Sequence, residues 1–121
     1  PRVLLCSVFQ HPAYPYGPPE SAQANVIKVP LPAGSDGAAL AAAVETHWLP
    51  ALEAFAPQLL LISAGFDGHR EDPQASWRLT GVLRDVARRH AQDRILSTLE
   101  GGYALHALGR SVVAHLKALL A

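Results

Sequence analysis

The 121-residue sequence has a single cysteine, no methionine and no excess of either charge. One cysteine cannot form an internal disulfide, which excludes a small secreted scaffold held by disulfides. The ten basic residues equal the ten acidic ones, whereas nucleic-acid-binding domains have a basic excess and membrane-surface helices a basic face. No apolar run reaches the ~18 residues that span a bilayer, and no signal peptide is recognisable. We therefore expect a cytoplasmic protein without nucleic-acid or membrane partners.

Half of the residues are hydrophobic, so a folded core is expected. Apolar runs of strand length alternate with amphipathic helical patterns, an order typical of a parallel sheet. The first run contains Cys6, which we interpret as a buried thiol rather than a reactive one. We predict an α/β fold, three-layer α/β/α with a mainly parallel sheet. The predicted strands are Val3–Phe9, Asn25–Leu31, Leu59–Ile62 and Ile95–Leu99, and the predicted helices are Gly37–Phe55, Thr80–His90 and Leu105–Leu120.

Local signals define these elements further. Asp36 and Thr80 are predicted helix caps, and Pro50 should kink the first helix. Val3–Phe9 lacks polar alternation, which is typical of a strand buried on both faces. The last helix should turn one apolar face inward, composed of Leu105, Leu108, Val112, Val113, Leu116, Leu119 and Leu120.

Unusual residues follow two of the predicted strands directly. Ligands bind beyond the carboxyl ends of strands in open parallel sheets. Asp67 follows the third strand, where a carboxylate is costly to bury unless it is paired or binds a cation. An aspartate before a glycine is equally typical of a turn. Tyr103 follows Gly101-Gly102 and can donate a hydrogen bond to a developing oxyanion, but a tyrosine packed over the sheet end fits the pattern as well.

Other candidate features carry less information. His69 can chelate a metal together with Asp67, although a three-residue match fits better with a histidine that only contacts a metal ligand or lies in the loop. His47, His90, His106 and His115 fall on predicted helices and are interpreted as solvent-facing or packing residues. Gly101-Gly102 lacks the further glycines or the lysine of a phosphate-binding loop, which disfavours a flavodoxin-like phosphate-binding domain.

Taken together, the motifs resemble the histone deacetylase family, in particular its class II-like and bacterial amidohydrolase branches. The resemblance rests on Ser63–Asp67 followed by Asp72-Pro73, and on Leu99–Tyr103. Gln10–Pro15 and Asn25–Pro32 also resemble the loop after a central strand and the strand that follows it. These segments run along essentially the whole chain in the order that the family has.

The resemblance implies a zinc-dependent deacetylase with the arginase-related α/β/α fold. Family members bind one zinc through two aspartates and a histidine, and Asp67 matches the second aspartate. Tyr103 matches the tyrosine that hydrogen-bonds the acetyl carbonyl, with Gly101 and Gly102 lining the substrate. The implied substrates are acetyl-lysine or an acetylated amine. Other divalent metals suit the same donors nearly as well.

The sequence departs from the family in two places. The segment Tyr16–Ser21 replaces the usual Gly-Thr-Gly, which predicts an altered rim of the site. The other zinc ligands and the paired histidines precede the matching region in relatives. We therefore interpret residues 1–121 as the C-terminal part of one deacetylase domain, inactive alone and needing the N-terminal half or a second chain. An independently folding interaction module is the alternative, and self-association into a homo-oligomer stays open.

Overall fold

The computed structural model describes residues 1–13, 16–65 and 73–121. It forms two compact units, Pro1–Phe55 and Ala56–Ala121. The chain order alternates strands and helices as predicted: β1 (Leu5–Gln10), β2 (Val26–Leu31), α1 (Gly37–Ala43), a π-helical turn (Val44–Trp48), α2 (Leu49–Phe55), β3 (Leu60–Gly65), α3 (Pro73–His90), β4 (Ile95–Gly101) and α4 (Leu105–Leu120).

In the first unit, β1 and β2 pair in parallel, from Leu5 opposite Val26 to Gln10 opposite Leu31. Val29 of β2 is buried, whereas every residue of β1 is half-buried or exposed. The prediction that β1 is buried on both faces is therefore wrong for this structure. Among the described residues the strand has one strand partner, β2. Cys6 is half-buried, and that burial raises the pKa of its thiol to about 11.

The helical stretch from Gly37 to Phe55 begins where the sequence predicts. The carboxylate of Asp36 accepts a 2.9 Å hydrogen bond from the backbone N–H of Ala39, as an N-cap does. The predicted distortion at Pro50 takes the form of a π-helical turn, in which the N–H of Leu49 bonds the carbonyl of Val44. Proline lacks an N–H and its ring crowds the carbonyl four residues earlier. Widening the preceding turn accommodates that crowding.

In the second unit, β3 and β4 also pair in parallel, from Leu60 opposite Ile95 to Gly65 opposite Gly101. Both strands run further than predicted and end at these glycines. The prediction that Thr80 caps α3 is wrong, because the helix begins at Pro73. Proline is favoured in the first helical position, where its missing N–H has no helical acceptor. Thr80 instead lies mid-helix and is buried.

The bounds predicted for α4 are confirmed, but its predicted inner face is partly wrong. Small and polar residues at helical spacing form the buried face, and they let α4 approach α3 closely. Leucines and valines occur on both sides of this helix, so hydrophobicity does not identify the side that packs. The buried residues are Ala107, Ser111, His115 and Ala118, while Leu105, Val113, Leu116 and Leu120 are exposed.

Candidate functional site

The carboxyl ends of β3 and β4 lie side by side, because Gly65 pairs with Gly101 at the last position of each strand. The register shifts between Ala64 and Gly65. Ala64 pairs with Leu99 and Gly65 pairs with Gly101, so β4 has one extra residue between these two pairs. The extra residue is Glu100, whose carboxylate accepts a 3.1 Å hydrogen bond from the Thr98 hydroxyl. The two sequence motifs therefore leave the sheet from adjacent positions.

Tyr103 stands between the end of β4 and the first turn of α4. Gly102 before it has φ +137°, a conformation that side chains with a Cβ rarely adopt. The carbonyl of Ala104 accepts the first helical bond of α4, 2.8 Å from the N of Leu108. The tyrosine is 81% exposed, and no described residue hydrogen-bonds its hydroxyl. The phenol is thus free to donate to a bound molecule, and the alternative that it packs over the sheet end is not observed.

The predicted metal ligand Asp67 and its neighbour His69 lie outside the described residues. Within residues 1–13, 16–65 and 73–121, no three histidine, cysteine or acidic side chains form a group that could hold a metal ion. A zinc site needs at least three protein ligands. The described residues therefore do not fit a complete zinc centre.

A buried polar cluster links three elements of the second unit, and sequence reasoning missed it. The ring of His115 lies 2.7 Å from the hydroxyl of Thr80 through Nδ1 and 2.8 Å from that of Ser97 through Nε2. His115 is 6% exposed, and desolvation by burial lowers its pKa. A helical row of small residues on α4, Ala107 and Ser111 before His115, is the sequence signal that marks this face as closely packed.

The segment that departs from the deacetylase pattern is attached to the first sheet. The ammonium of Lys28 on β2 donates to the carbonyl of Pro18 and lies 5.3 Å from the ring centroid of Phe9. Phe9 in turn meets His11 edge-on, with ring centroids 6.5 Å apart. Tyr14 and Pro15 lie outside the described residues. The described histidine at this strand end, His11, therefore contacts the ring of Phe9.

The structure thus has parallel strands, covering helices and motif residues at adjacent strand ends, which define an α/β protein of the arginase and deacetylase type. A sequence profile of the histone deacetylase domain matches residues 1–119. The chain belongs to this family. Among the described residues, no helix is both long and apolar enough to cross a membrane.

Individual relatives agree with this assignment. An uncharacterized protein of Synechocystis sp. is 38% identical over 99% of this chain and 41% of its own length. The crystal structure of the HDA15 HD domain superposes with a TM-score of 0.82 at 31% identity, covering 98% of this chain and 37% of that one. An acetylpolyamine aminohydrolase from Burkholderia pseudomallei gives 0.81 at 28% identity, with 99% and 39% covered. The chain spans about two fifths of these relatives.

Proposed function

We propose that this chain supplies the C-terminal part of a zinc-dependent deacetylase site, and that Tyr103 and Asp67 are its functional side chains. The pairing of Gly65 with Gly101 carries the proposal. It makes the segment that contains Asp67 and the segment that contains Tyr103 begin next to each other. Family membership supports the activity class, since the profile that matches is that of the histone deacetylase domain.

In this proposal Tyr103 acts as a hydrogen-bond donor. The phenol donates to the acetyl carbonyl oxygen as negative charge develops on it, a contact that stabilises the transition state more than the ground state. Gly101 and Gly102 lie against the substrate because they carry no side chain that would fill the approach. The exposure of Tyr103 and the positive φ of Gly102 support these roles.

Zinc in this proposal is bound by Asp67 together with ligands that other residues of the complete domain provide. When bound, the ion acts as a Lewis acid on the carbonyl and lowers the pKa of a water molecule. Residues 1–121 contribute one carboxylate to that ligand set. The chain alone is therefore expected to be inactive, which agrees with its covering about two fifths of its relatives.

The proposed substrate class is an acetylated amine, either acetyl-lysine in a protein or a small acetylated amine. The Burkholderia relative is an acetylpolyamine aminohydrolase. The non-catalytic alternative, an independently folding interaction module, predicts a closed surface. Large exposed leucines on both β3–β4 and α4 disfavour it.

The proposal is tested in a chimera that completes the domain: residues 1–121 replace the matching part of the Burkholderia aminohydrolase. Single substitutions are then made in this chimera. Hydrolysis of an acetyl-lysine peptide and of an acetylated polyamine is measured with zinc present. Tyr103→Phe should lower kcat by about 10²–10³, as loss of one oxyanion donor does. Lys117→Gln, an exposed change on α4, should leave kcat unchanged. Equal rates for Tyr103→Phe and the parent chimera would reject the role of Tyr103.

A further inference from the structure

The connection from β4 to α4 is short, and it contains the candidate catalytic tyrosine. β4 ends at Gly101 and α4 begins at Leu105, so three residues, Gly102, Tyr103 and Ala104, join the two elements. Three residues span at most about 11 Å, which leaves such a joint little freedom once both of its ends are fixed. The place of the Tyr103 hydroxyl therefore depends on how α4 is seated against β4.

His115 connects the middle of α4 to β4. Its Nε2 atom lies 2.8 Å from the hydroxyl of Ser97, the third residue of the strand, and the histidine is 6% exposed. The other buried residues of α4 are Ala107, Ser111 and Ala118, whose short side chains resist sliding of the helix only weakly. A buried hydrogen bond does resist it, because sliding would leave polar atoms unpaired away from water.

The same ring makes a second hydrogen bond that leads away from β4. Its Nδ1 atom lies 2.7 Å from the hydroxyl of Thr80 on α3. Both contacts hold α4, but they reach different elements: Ser97 lies on the strand that leads directly to Tyr103, whereas Thr80 lies on the helix that follows β3. The two contacts can therefore be removed one at a time, and only one of them joins the two elements on either side of the tyrosine.

We infer that His115 is a positioning residue for Tyr103 and that it acts through its hydrogen bond to Ser97. The bond sets where α4 begins relative to the end of β4, and thereby where the phenol lies relative to the acetyl carbonyl. The helix transmits this placement as a rigid element over about 15 Å from His115 to Leu105, at 1.5 Å per residue. A displacement of about 1 Å at a reacting group can lower a rate about 10²-fold. The inference rests on the proposed function for the role of Tyr103.

Two substitutions in the chimera with the Burkholderia aminohydrolase separate the two contacts. Ser97→Ala removes the bond to β4, and Thr80→Val replaces the hydroxyl on α3 with a methyl group. Ser97→Ala should lower kcat at least about tenfold with KM unchanged, because a contact made in the transition state is weakened. Thr80→Val should leave kcat within about twofold of the parent value, because α3 does not carry the phenol. Urea unfolding of both variants measures how much stability each one loses.

Matched replacements of His115 test the histidine itself. The amide of glutamine reaches the place of Nε2, and the shorter asparagine reaches the place of Nδ1, so each keeps a hydrogen-bonding group at one of the two positions. His115→Gln should retain kcat within about threefold, whereas His115→Asn should lower it as Ser97→Ala does. Both variants lose the ring, so a purely structural role of the histidine predicts the same kcat for both. Equal kcat values would overturn the inference.

Combination with Tyr103→Phe shows whether the effect of Ser97→Ala passes through the phenol. In the Tyr103→Phe background Ser97→Ala should change kcat by less than about twofold, because the hydroxyl that it positions is gone. The same loss in both backgrounds, or a loss in Thr80→Val as large as in Ser97→Ala, would indicate general loosening and overturn the inference. A loss in Tyr103→Phe without a loss in Ser97→Ala would overturn the inference alone and leave the proposed function standing.

Amide chemical shifts in the 121-residue chain report the same placement without catalysis. Ser97→Ala should shift the amide signals of Tyr103 and Ala104, which lie between β4 and α4, and Thr80→Val should leave them in place. Signals that are unchanged in Ser97→Ala would overturn the inference. A chimera without activity would count against the proposed function, and these shifts would then decide whether the bond between His115 and Ser97 places Tyr103.

Discussion

The Nε2 atom of His115 lies 2.8 Å from the hydroxyl oxygen of Ser97, which ties α4 to the middle of β4. The other ring nitrogen lies 2.7 Å from the hydroxyl of Thr80 on α3. A neutral imidazole donates from one nitrogen and accepts at the other, so both hydroxyls can be satisfied at once. Because β4 and α4 flank Tyr103, this contact holds together the two elements that carry the candidate catalytic tyrosine.

Replacement of His115 should therefore destabilise the chain. His115→Ala leaves the buried Thr80 hydroxyl without this partner and opens a cavity, at a cost of about 2–4 kcal/mol. His106→Ala on the exposed side of the same helix should cost less than about 0.5 kcal/mol. Urea unfolding of both variants gives the two values. Equal effects would show that the buried contacts of His115 do not contribute to stability.

The same histidine should make stability depend on pH. Burial lowers the pKa of His115 below its ordinary value of 6.5, so the unfolded chain binds the proton more readily than the folded one. Its contribution to the free energy of unfolding is full above about pH 6.5. It is lost as the pH falls from there through the lowered folded pKa.

Urea unfolding between pH 7.5 and pH 5 measures this dependence. His115→Gln should flatten the slope, because glutamine does not titrate, whereas His106→Gln should retain it. A slope that is the same in His115→Gln and in the parent chain would assign the pH dependence to other groups.

Much of the fold is predictable because its signals are local. The capping carboxylate of Asp36 and the ring of Pro50 act within one helical turn, so their effects are readable from neighbouring residues. The face of α4 is different. Its burial depends on which neighbour approaches, and the sequence places leucines on both sides of the helix. The small residues at Ala107 and Ser111 determine the packed face, a choice that hydrophobicity alone does not reveal.

The candidate site likewise has features that local sequence predicts and features that depend on contacts between distant residues. Gly101 and Gly102 let the chain turn at the end of β4, and Tyr103 after them is exposed, but its catalytic role remains a prediction. Asp67 remains a prediction from resemblance. The contact of His115 with Thr80 spans 35 residues, and no local pattern relates two residues at that separation.

The cap of α1 offers a separate test in the first unit. Asp36→Ala removes the acceptor of the Ala39 N–H and should lower the free energy of unfolding by about 1 kcal/mol. Asp36→Asn keeps an acceptor oxygen and should retain most of the stability. Thermal or urea unfolding followed by circular dichroism measures both. A loss of equal size in Asp36→Asn would attribute the effect to charge rather than to the cap.

Zinc binding by the isolated chain should be weak. Asp67 is the one family ligand that the resemblance assigns to residues 1–121, whereas stable zinc sites use three or four protein ligands. Competition with a chromophoric chelator should show little zinc retained, and acetyl-lysine hydrolysis should be undetectable. Tight stoichiometric binding that Asp67→Asn abolishes, or zinc-dependent hydrolysis by the purified chain, would contradict the incomplete-site interpretation.

Two glycines should respond in opposite directions to the same substitution. Gly102 has φ +137°, so Gly102→Ala should destabilise the chain by about 1–3 kcal/mol, the range for a residue held in a sparsely populated backbone region. Gly109 lies within α4, and a Cβ there meets no atom within 4 Å. Gly109→Ala should therefore stabilise by about 0.5–1 kcal/mol.

Urea unfolding of the two single variants and of their combination measures these effects. Opposite signs of the change in stability would show that the backbone before Tyr103 requires glycine. They would also show that alanine is not generally destabilising near the start of α4. In the completed domain, Gly102→Ala should also lower kcat, because the strained turn would displace the Tyr103 hydroxyl from the acetyl carbonyl to which it donates in the proposed site. Unchanged stability and unchanged kcat in Gly102→Ala would show that the turn does not need the conformation that only glycine adopts readily.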